Sequence, residues 1–193
     1  MDNATLKLEN ISKVFPGVKA LTDVSIEATG GEVTALIGVN GAGKSTLMNI
    51  LGGVHKASGG KIYIDGVEAK INTPHDAERY GIGFIHQEPI MFNYMTVAEN
   101  IFISRLNKFI SYKKLNADAK KYLDMLGSDI RPNAKVGDLP IGERQVVAIA
   151  RALSCGGKIL LFDEPTASFT SSEKQRLFEI IHELKQQGER VCV

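Results

Sequence analysis

Eight consecutive residues, Gly38-Val39-Asn40-Gly41-Ala42-Gly43-Lys44-Ser45, constrain this chain more than any other stretch of it. They match in full the pattern of one glycine, four free positions and then Gly-Lys-Ser/Thr. A compact apolar run, Val33 to Ile37, leads into them, and the helix-competent segment Thr46 to Leu51 follows. The expected order is therefore strand, glycine loop, helix, with the strand buried on both faces. Glycines let backbone amides curl around a phosphate without side-chain clash, and the helix N-terminus adds a positive dipole. In such a loop Lys44 reaches the β- and γ-phosphates of a nucleoside triphosphate, and the Ser45 hydroxyl ligates Mg²⁺. Gly38, Asn40, Gly41, Ala42, Gly43, Lys44, Ser45 and Thr46 are the expected nucleotide-binding residues.

The text on either side supplies an α/β frame for that loop. Thr5 to Glu9, Val24 to Glu27 and Lys61 to Ile64 alternate as half-buried strands do, and Asp65-Gly66 marks a tight turn after the last of them. Thr73-Pro74-His75-Asp76 combines an N-cap, a proline at the first helical position and an acid in the first turn. Thr96-Val97-Ala98-Glu99 is a capping box. Ala119, Tyr122, Leu123 and Leu126 have helical spacing, and Gly127 is a stop. Glu143 to Leu153 reads as a helix with Val146, Val147, Ile149, Ala150 and Leu153 inward. Ile159 to Phe162 reads as a second buried strand. Thr170-Ser171-Ser172-Glu173 is a capping box for a helix burying Leu177, Phe178, Ile180, Ile181 and Leu184; Gly188 ends it, and Val191-Cys192-Val193 begins another strand. Alternating strands and helices with buried strands imply a parallel sheet.

The second buried strand ends in Asp163-Glu164. Beside a phosphate loop, Asp163 is the expected Mg²⁺ support and Glu164 the carboxylate that polarises an attacking water. Other function classes recede. With Lys plus Arg at 23 against Asp plus Glu at 22, the net charge of +1 gives no basic field for nucleic acid. The 193 residues suffice for one domain, or one domain with an inserted lobe. Cys155 and Cys192 lack metal-ligand spacing, which fits a reduced cytosolic setting. The start lacks the basic and apolar regions of a signal peptide, and no run of 18 apolar residues spans a membrane. A GTPase would carry an Asn-Lys-x-Asp strand end, and none is present.

Three further segments resemble those of ABC-type ATPases. Leu139-Pro140-Ile141-Gly142-Glu143, followed by Arg144-Gln145, is similar to the family's signature sequence and lies 20 residues before Asp163. The resemblance implies that Leu139, Gly142 and Glu143 contact the γ-phosphate of ATP held by an opposite subunit. Pro140 stands where the family usually has serine, which removes a hydroxyl and a backbone N–H. Gln87, after Gly83-Phe84-Ile85-His86, resembles the family's Q-loop glutamine, implying contact with Mg²⁺ and the attacking water. Phe15 sits where the family places a ring that stacks on adenine; a core phenylalanine is the alternative. Connecting text, including Ile11 to Leu21, Ile85 to Glu88 and Asp163 to Thr170, resembles the first cassette of ribose-, galactose- and xylose-type importers.

That resemblance implies a phosphate-loop α/β (RecA-like) core with an N-terminal antiparallel β lobe, a helical lobe inserted at about residues 88–150, and a C-terminal end of the domain still missing at Val193. It implies ATP and Mg²⁺ as cofactors, Glu164 and Gln87 as catalytic residues, and Ser45, Gln87 and Asp163 at the metal. It further implies a second nucleotide-binding domain, fused or dimeric, sugar-permease membrane subunits, no nucleic acid, and a peripheral place on the cytoplasmic face of the inner membrane. A soluble ABC ATPase without a membrane partner and a hydrolysis-impaired regulatory module are the alternatives, the latter motivated by Pro140 and Thr170. His86 is expected to pack or face solvent, and His182 to lie on a polar helix face. Met91, Phe92, Tyr94 and Met95 form an apolar cluster that reads equally as core or as part of a permease-contacting groove.

Overall fold

A computed structural model describes residues 5–30, 32–86, 90–106, 111–163, 171–186 and 190–192. The chain opens with a long hairpin, β1 (Thr5–Phe15) and β2 (Val18–Thr29), closed at Pro16-Gly17. Both strands outrun the short alternating segments expected there. After β3 (Val33–Thr34) and the glycine loop comes helix α1 (Lys44–Leu51), then the hairpin β4 (Gly59–Ile64) and β5 (Val67–Ala69), turned by Asp65 and Gly66 at positive φ. Helix α2 (Pro74–Arg79) and strand β6 (Ile82–Ile85) follow. Three helices come next: α3 (Val97–Ile101), α4 (Tyr112–Met125) and α5 (Ile141–Ser154). Strand β7 (Ile159–Phe162), helix α6 (Ser171–Gln186) and strand β8 (Arg190–Cys192) complete it.

The strands form two sheets. The antiparallel sheet has the order β2-β1-β4-β5, and the parallel one β3-β8-β7-β6. Strand β7 is central and buried on both faces, none of its residues being more than 1% exposed. Its alternate side chains enter two different cores. Leu160 and Phe162 join the cluster built by α3, α4, α5 and α6, while Ile159 and Leu161 join the cluster of the antiparallel sheet and α1. At about 25 cal/mol per Å² of apolar surface, such two-sided burial makes this strand the anchor of the parallel sheet.

Helix α5 sits close on that sheet. A Cβ added to Gly83 of β6 would lie 2.6 Å from the Ala152 Cβ and 3.0 Å from Leu160 Cδ2, so the contact needs a glycine. The expected caps form: Thr73 with Asp76 and Thr96 with Glu99 each make both bonds of a capping box. Gly127 takes positive φ where α4 ends.

Two expectations fail. Val33 to Ile37 is not a strand buried on both faces. Only Val33–Thr34 pairs, at the edge of the parallel sheet and with β8 alone, and Val33 and Ile37 are 40% and 95% exposed. Phe178 was expected inward and is 59% exposed, although Leu177, Ile180 and Ile181 on the same helix are buried. At about 100° per residue, Leu177, Ile180 and Ile181 fall within about 100° of one another around the helix, and position 178 lies about 60° beyond that arc, toward the outer face. The expected cap at Thr170, the stop at Gly188 and the burial of Leu184 lie outside the described residues.

Candidate functional site

The loop turns through Gly41 (φ 82°) and Gly43 (φ 92°), left-handed conformations that cost a residue with a Cβ about 1–2 kcal/mol. At Gly43 lack of space adds to this. A Cβ there would meet Leu21 Cδ2 at 2.6 Å and the Ala20 carbonyl oxygen at 2.7 Å, because β2 runs directly behind the loop. Gly43 is also the N-cap of α1, its carbonyl accepting from the Leu47 amide at 2.9 Å, while the Ala42 amide donates to the Val39 carbonyl at 3.1 Å. The result is a cavity of about 370 Å³ with Val18, Lys19 and Ala20 on one wall and Asn40, Gly41 and Gly43 to Thr46 on the other. Gly38 sits below it, with a Cβ's position 3.3 Å from that of Ala42.

The Lys44 ammonium folds back over the loop and donates to the carbonyls of Gly38 (2.7 Å) and Val39 (3.2 Å). It thus hangs above the cavity on neutral acceptors that a phosphate oxygen, being charged, outcompetes. Ser45 Oγ donates to Asp163 Oδ1 at 3.2 Å, joining the start of α1 to the end of β7 across 118 residues. The pair brings a hydroxyl and a carboxylate, both hard oxygens, to the cavity edge. Mg²⁺ is held by one or two such protein groups together with waters and substrate phosphates, so this donor set fits it. Among the described residues no group of three or more His, Cys, Asp or Glu gathers into a cage that would suit another metal.

The remaining expected residues fall in three places. Phe15 ends β1 opposite Val18, which lines the cavity. Its ring is partly exposed, set edge-on to His55 at 5.3 Å, with Lys13 Nζ 4.9 Å from its centroid. Leu139, Gly142 and Glu143 stand at the start of α5, and none of them lines the loop cavity. Pro140 is the N-cap of that helix, not its first residue, and caps it with no side-chain bond. Arg144 ties the approach instead, donating to the carbonyls of Leu139 (2.9 Å) and Gly137 (3.0 Å). Gln87 and Glu164 lie outside the described residues, as does Thr170. His86 packs on Phe84, with ring centroids 4.2 Å apart, and burial lowers its pKa against the opposing pull of Asp163. His182 is exposed on α6.

A second cavity, of about 310 Å³, lies between β6, α2 and the C-terminal half of α5. Sequence reasoning missed Arg151, which borders it. The Arg151 guanidinium is largely buried, which pulls its pKa below the ordinary arginine value, and it donates to the Ile90 carbonyl at 2.7 Å. Ile90, which lines the cavity, is 71% exposed, and Phe92 and Tyr94 after it in sequence are 52% and 94% exposed, while Met91 packs against the helical core. The apolar cluster is thus divided between core and surface. Asn100 was also missed: wholly buried, it accepts from the Phe92 amide and donates to the Phe92 and Thr96 carbonyls, clamping the segment that carries those rings. Its place in the first turns of a capped helix was the available signal.

Comparison with known proteins extends these observations. The ABC transporter family model matches residues 21–167. The ribose import ATP-binding protein RbsA of Clostridium perfringens is 47% identical over 188 residues, covering 95% of this chain and 38% of that protein. A putative ribose/galactose/methyl galactoside import ATP-binding protein of Agrobacterium fabrum is 46% identical, over 95% of this chain and 37% of its own length. Among solved structures, the ADP conformation of an ATP-binding cassette of an ABC transporter superposes with a TM-score of 0.88 at 32% identity, covering 98% of this chain and 80% of that one. A dimeric cassette in a post-hydrolysis state, bound to ADP and Pi, gives 0.79 at 29% identity, over 97% and 86%. The chain therefore spans well under half the length of the importer proteins it matches, but most of a solved cassette. The family match spans the glycine loop, residues 139–143 and Asp163, well over half of the chain, and the chain belongs to the ABC transporter family.

Proposed function

We propose that the chain binds MgATP in the loop Gly38 to Ser45 and, within its full protein, hydrolyses it to energise import of a monosaccharide. The observation that carries this is the 3.2 Å approach of Ser45 Oγ to Asp163 Oδ1 beside a cavity walled by loop amides and Lys44. Lys44 leaves two neutral carbonyls for the β- and γ-phosphates, and the amides of Gly41, Gly43 and Ser45 with the α1 N-terminus face the same charge. Ser45 and Asp163 are the residues that would hold Mg²⁺, which supplies neutralisation of phosphate charge. In this reading Gln87 joins them at the metal, and Glu164 accepts the proton of the attacking water. Phe15, paired with Val18 at the cavity wall, offers its ring to the base.

Leu139, Gly142 and Glu143 lie off the loop cavity, which supports a site completed in trans: α5 of one cassette would cover the nucleotide of a second, fused or dimeric. The groove beside Arg151, lined by the exposed Ile90 and followed in sequence by the exposed Phe92 and Tyr94, is the surface we assign to a sugar permease. No helix among the described residues is long and apolar enough to cross a membrane, so this reading places the chain peripherally on the cytoplasmic face through that partner. It treats the chain as one domain with a helical lobe inserted at about 88–150.

Calorimetric titration with MgATP tests the core of the proposal. Lys44→Ala is expected to weaken binding at least tenfold, about 1.4 kcal/mol. Equal affinity in the two proteins would end the phosphate-loop assignment. In the full protein Glu164→Gln should retain binding and lose turnover, and turnover at the wild-type rate would remove Glu164 from its role.

A further inference from the structure

Among the described residues three polar side chains are buried to 3% exposure or less: Asn100, Gln145 and Ser154. Two are satisfied. Asn100 makes the clamp described above, and the Ser154 hydroxyl donates to the carbonyls of Ile101 (3.0 Å) or Arg151 (2.8 Å). Gln145 is the exception. It is 2% exposed, and neither its amide nitrogen nor its amide oxygen finds a hydrogen-bond partner among the described residues. An amide carries two donors and an acceptor with two lone pairs, and burying it unpaired costs as much as losing hydrogen bonds outright. Leucine or methionine would fill the same volume without that cost, so packing gives no reason for an amide here.

Its position gives one. Residues 145, 149 and 152 share one face of α5, at i, i+4 and i+7. Ala152 on that face touches Gly83 of β6, and the turn after α5 meets the amino ends of the strands, with the Lys158 amide donating to the Gly81 carbonyl at 2.7 Å. Helix and strands therefore run in opposite directions. Seven residues of helix cover about 10.5 Å, equivalent to about three residues of strand. Gln145 is thus level with His86 and Asp163, where β6 and β7 deliver their carboxyl ends, and only three residues from Gly142 of the signature segment.

We infer that Gln145 is a positioning residue for ATP turnover: its amide takes up its hydrogen bonds at the carboxyl ends of β6 and β7 only in the nucleotide-loaded arrangement. The unpaired amide then disfavours the unloaded arrangement and ties the start of α5 to the strand end that bears Asp163. This rests on the MgATP reading above.

The test compares wild type, Gln145→Met and Gln145→Asn in the full chain, measuring thermal midpoint without nucleotide, MgATP affinity, and steady-state turnover. Gln145→Met should raise the nucleotide-free midpoint by about 2–4 °C, a typical response for a domain of this size. It should weaken MgATP affinity about fivefold or more, because the amide's bonds form only in the loaded arrangement, and lower kcat about tenfold or more, the equivalent of a lost charge-adjacent hydrogen bond. Gln145→Asn, which keeps the amide, should recover part of kcat. A kcat within about twofold of wild type overturns the inference, as does a lowered nucleotide-free midpoint, which would mean the amide is already paired and structural. Wild-type protein that binds no MgATP would overturn the underlying reading and this inference together.

Discussion

Two apolar runs lead into the proposed site, and they behave in opposite ways. Val33 to Ile37 precedes the phosphate loop, and Ile159 to Phe162 precedes Asp163. Both read as strands buried on two faces. The second is: β7 lies between β8 and β6, and every one of its side chains enters a core. The first contributes a two-residue edge strand, and Ile37 and Val39 stand 95% and 80% exposed. Apolar composition states what a segment gains by burial; the place in the sheet determines whether neighbours exist to bury it. The chemistry divides along the same line. Asp163 is carried on a rigid, doubly packed strand, whereas the loop is held by its own glycine geometry and by β2 behind it.

The largest expected effect tests this contrast directly. Phe162→Ala should cost about 3–5 kcal/mol in urea unfolding, because its wholly buried ring leaves a cavity. Ile37→Ala should fall within about 0.5 kcal/mol of wild type. Similar losses at both positions would show that the two runs are equally buried in solution.

Substitutions of glycine sharpen the comparison at the next scale. Gly83→Ala would drive a methyl into Ala152 and Leu160 and should cost about 1–3 kcal/mol by overpacking α5 on β6. Gly41→Ala meets nothing within 4 Å, and only its positive φ opposes it, for about 1–2 kcal/mol. Chemical denaturation should therefore rank Gly83→Ala at or above Gly41→Ala. The reverse order would make the left-handed backbone at Gly41 costlier to fill than the close packing at Gly83.

The smallest effect concerns the helical cover over β7. Thr96→Ala removes the α3 cap and should cost about 1 kcal/mol. The Glu99 carboxyl in the same cap is held below the ordinary glutamate range, first by the Thr96 amide and then by its hydroxyl. A lowered folded-state pKa means that the stabilisation is complete above about pH 4.3 and declines as pH falls through the folded value. The stability difference between wild type and Glu99→Gln should accordingly shrink between pH 7 and pH 3. A difference independent of pH would mean that the ionised carboxylate contributes nothing to the cap.

Much of this was determined locally. The loop from Gly38 to Ser45, the capping boxes at Thr73 and Thr96, the turn at Asp65-Gly66 and the stop at Gly127 each depend on residues within a few positions of one another. Short-range sterics and hydrogen bonding govern such features, so residue order alone specifies them. The resemblance of connecting segments extended that reading to the family. Tertiary structure decided the rest, because the deciding neighbours are remote in sequence. Ser45 meets Asp163 across 118 positions, and the exposure of Ile37 follows from the order of strands in a sheet. Arg151 finds the Ile90 carbonyl 61 residues away. Gln145 looked like one more polar residue in a signature segment. It became informative only once α5 was laid on β6 and β7, where burial without a partner is a long-range property that no local pattern encodes.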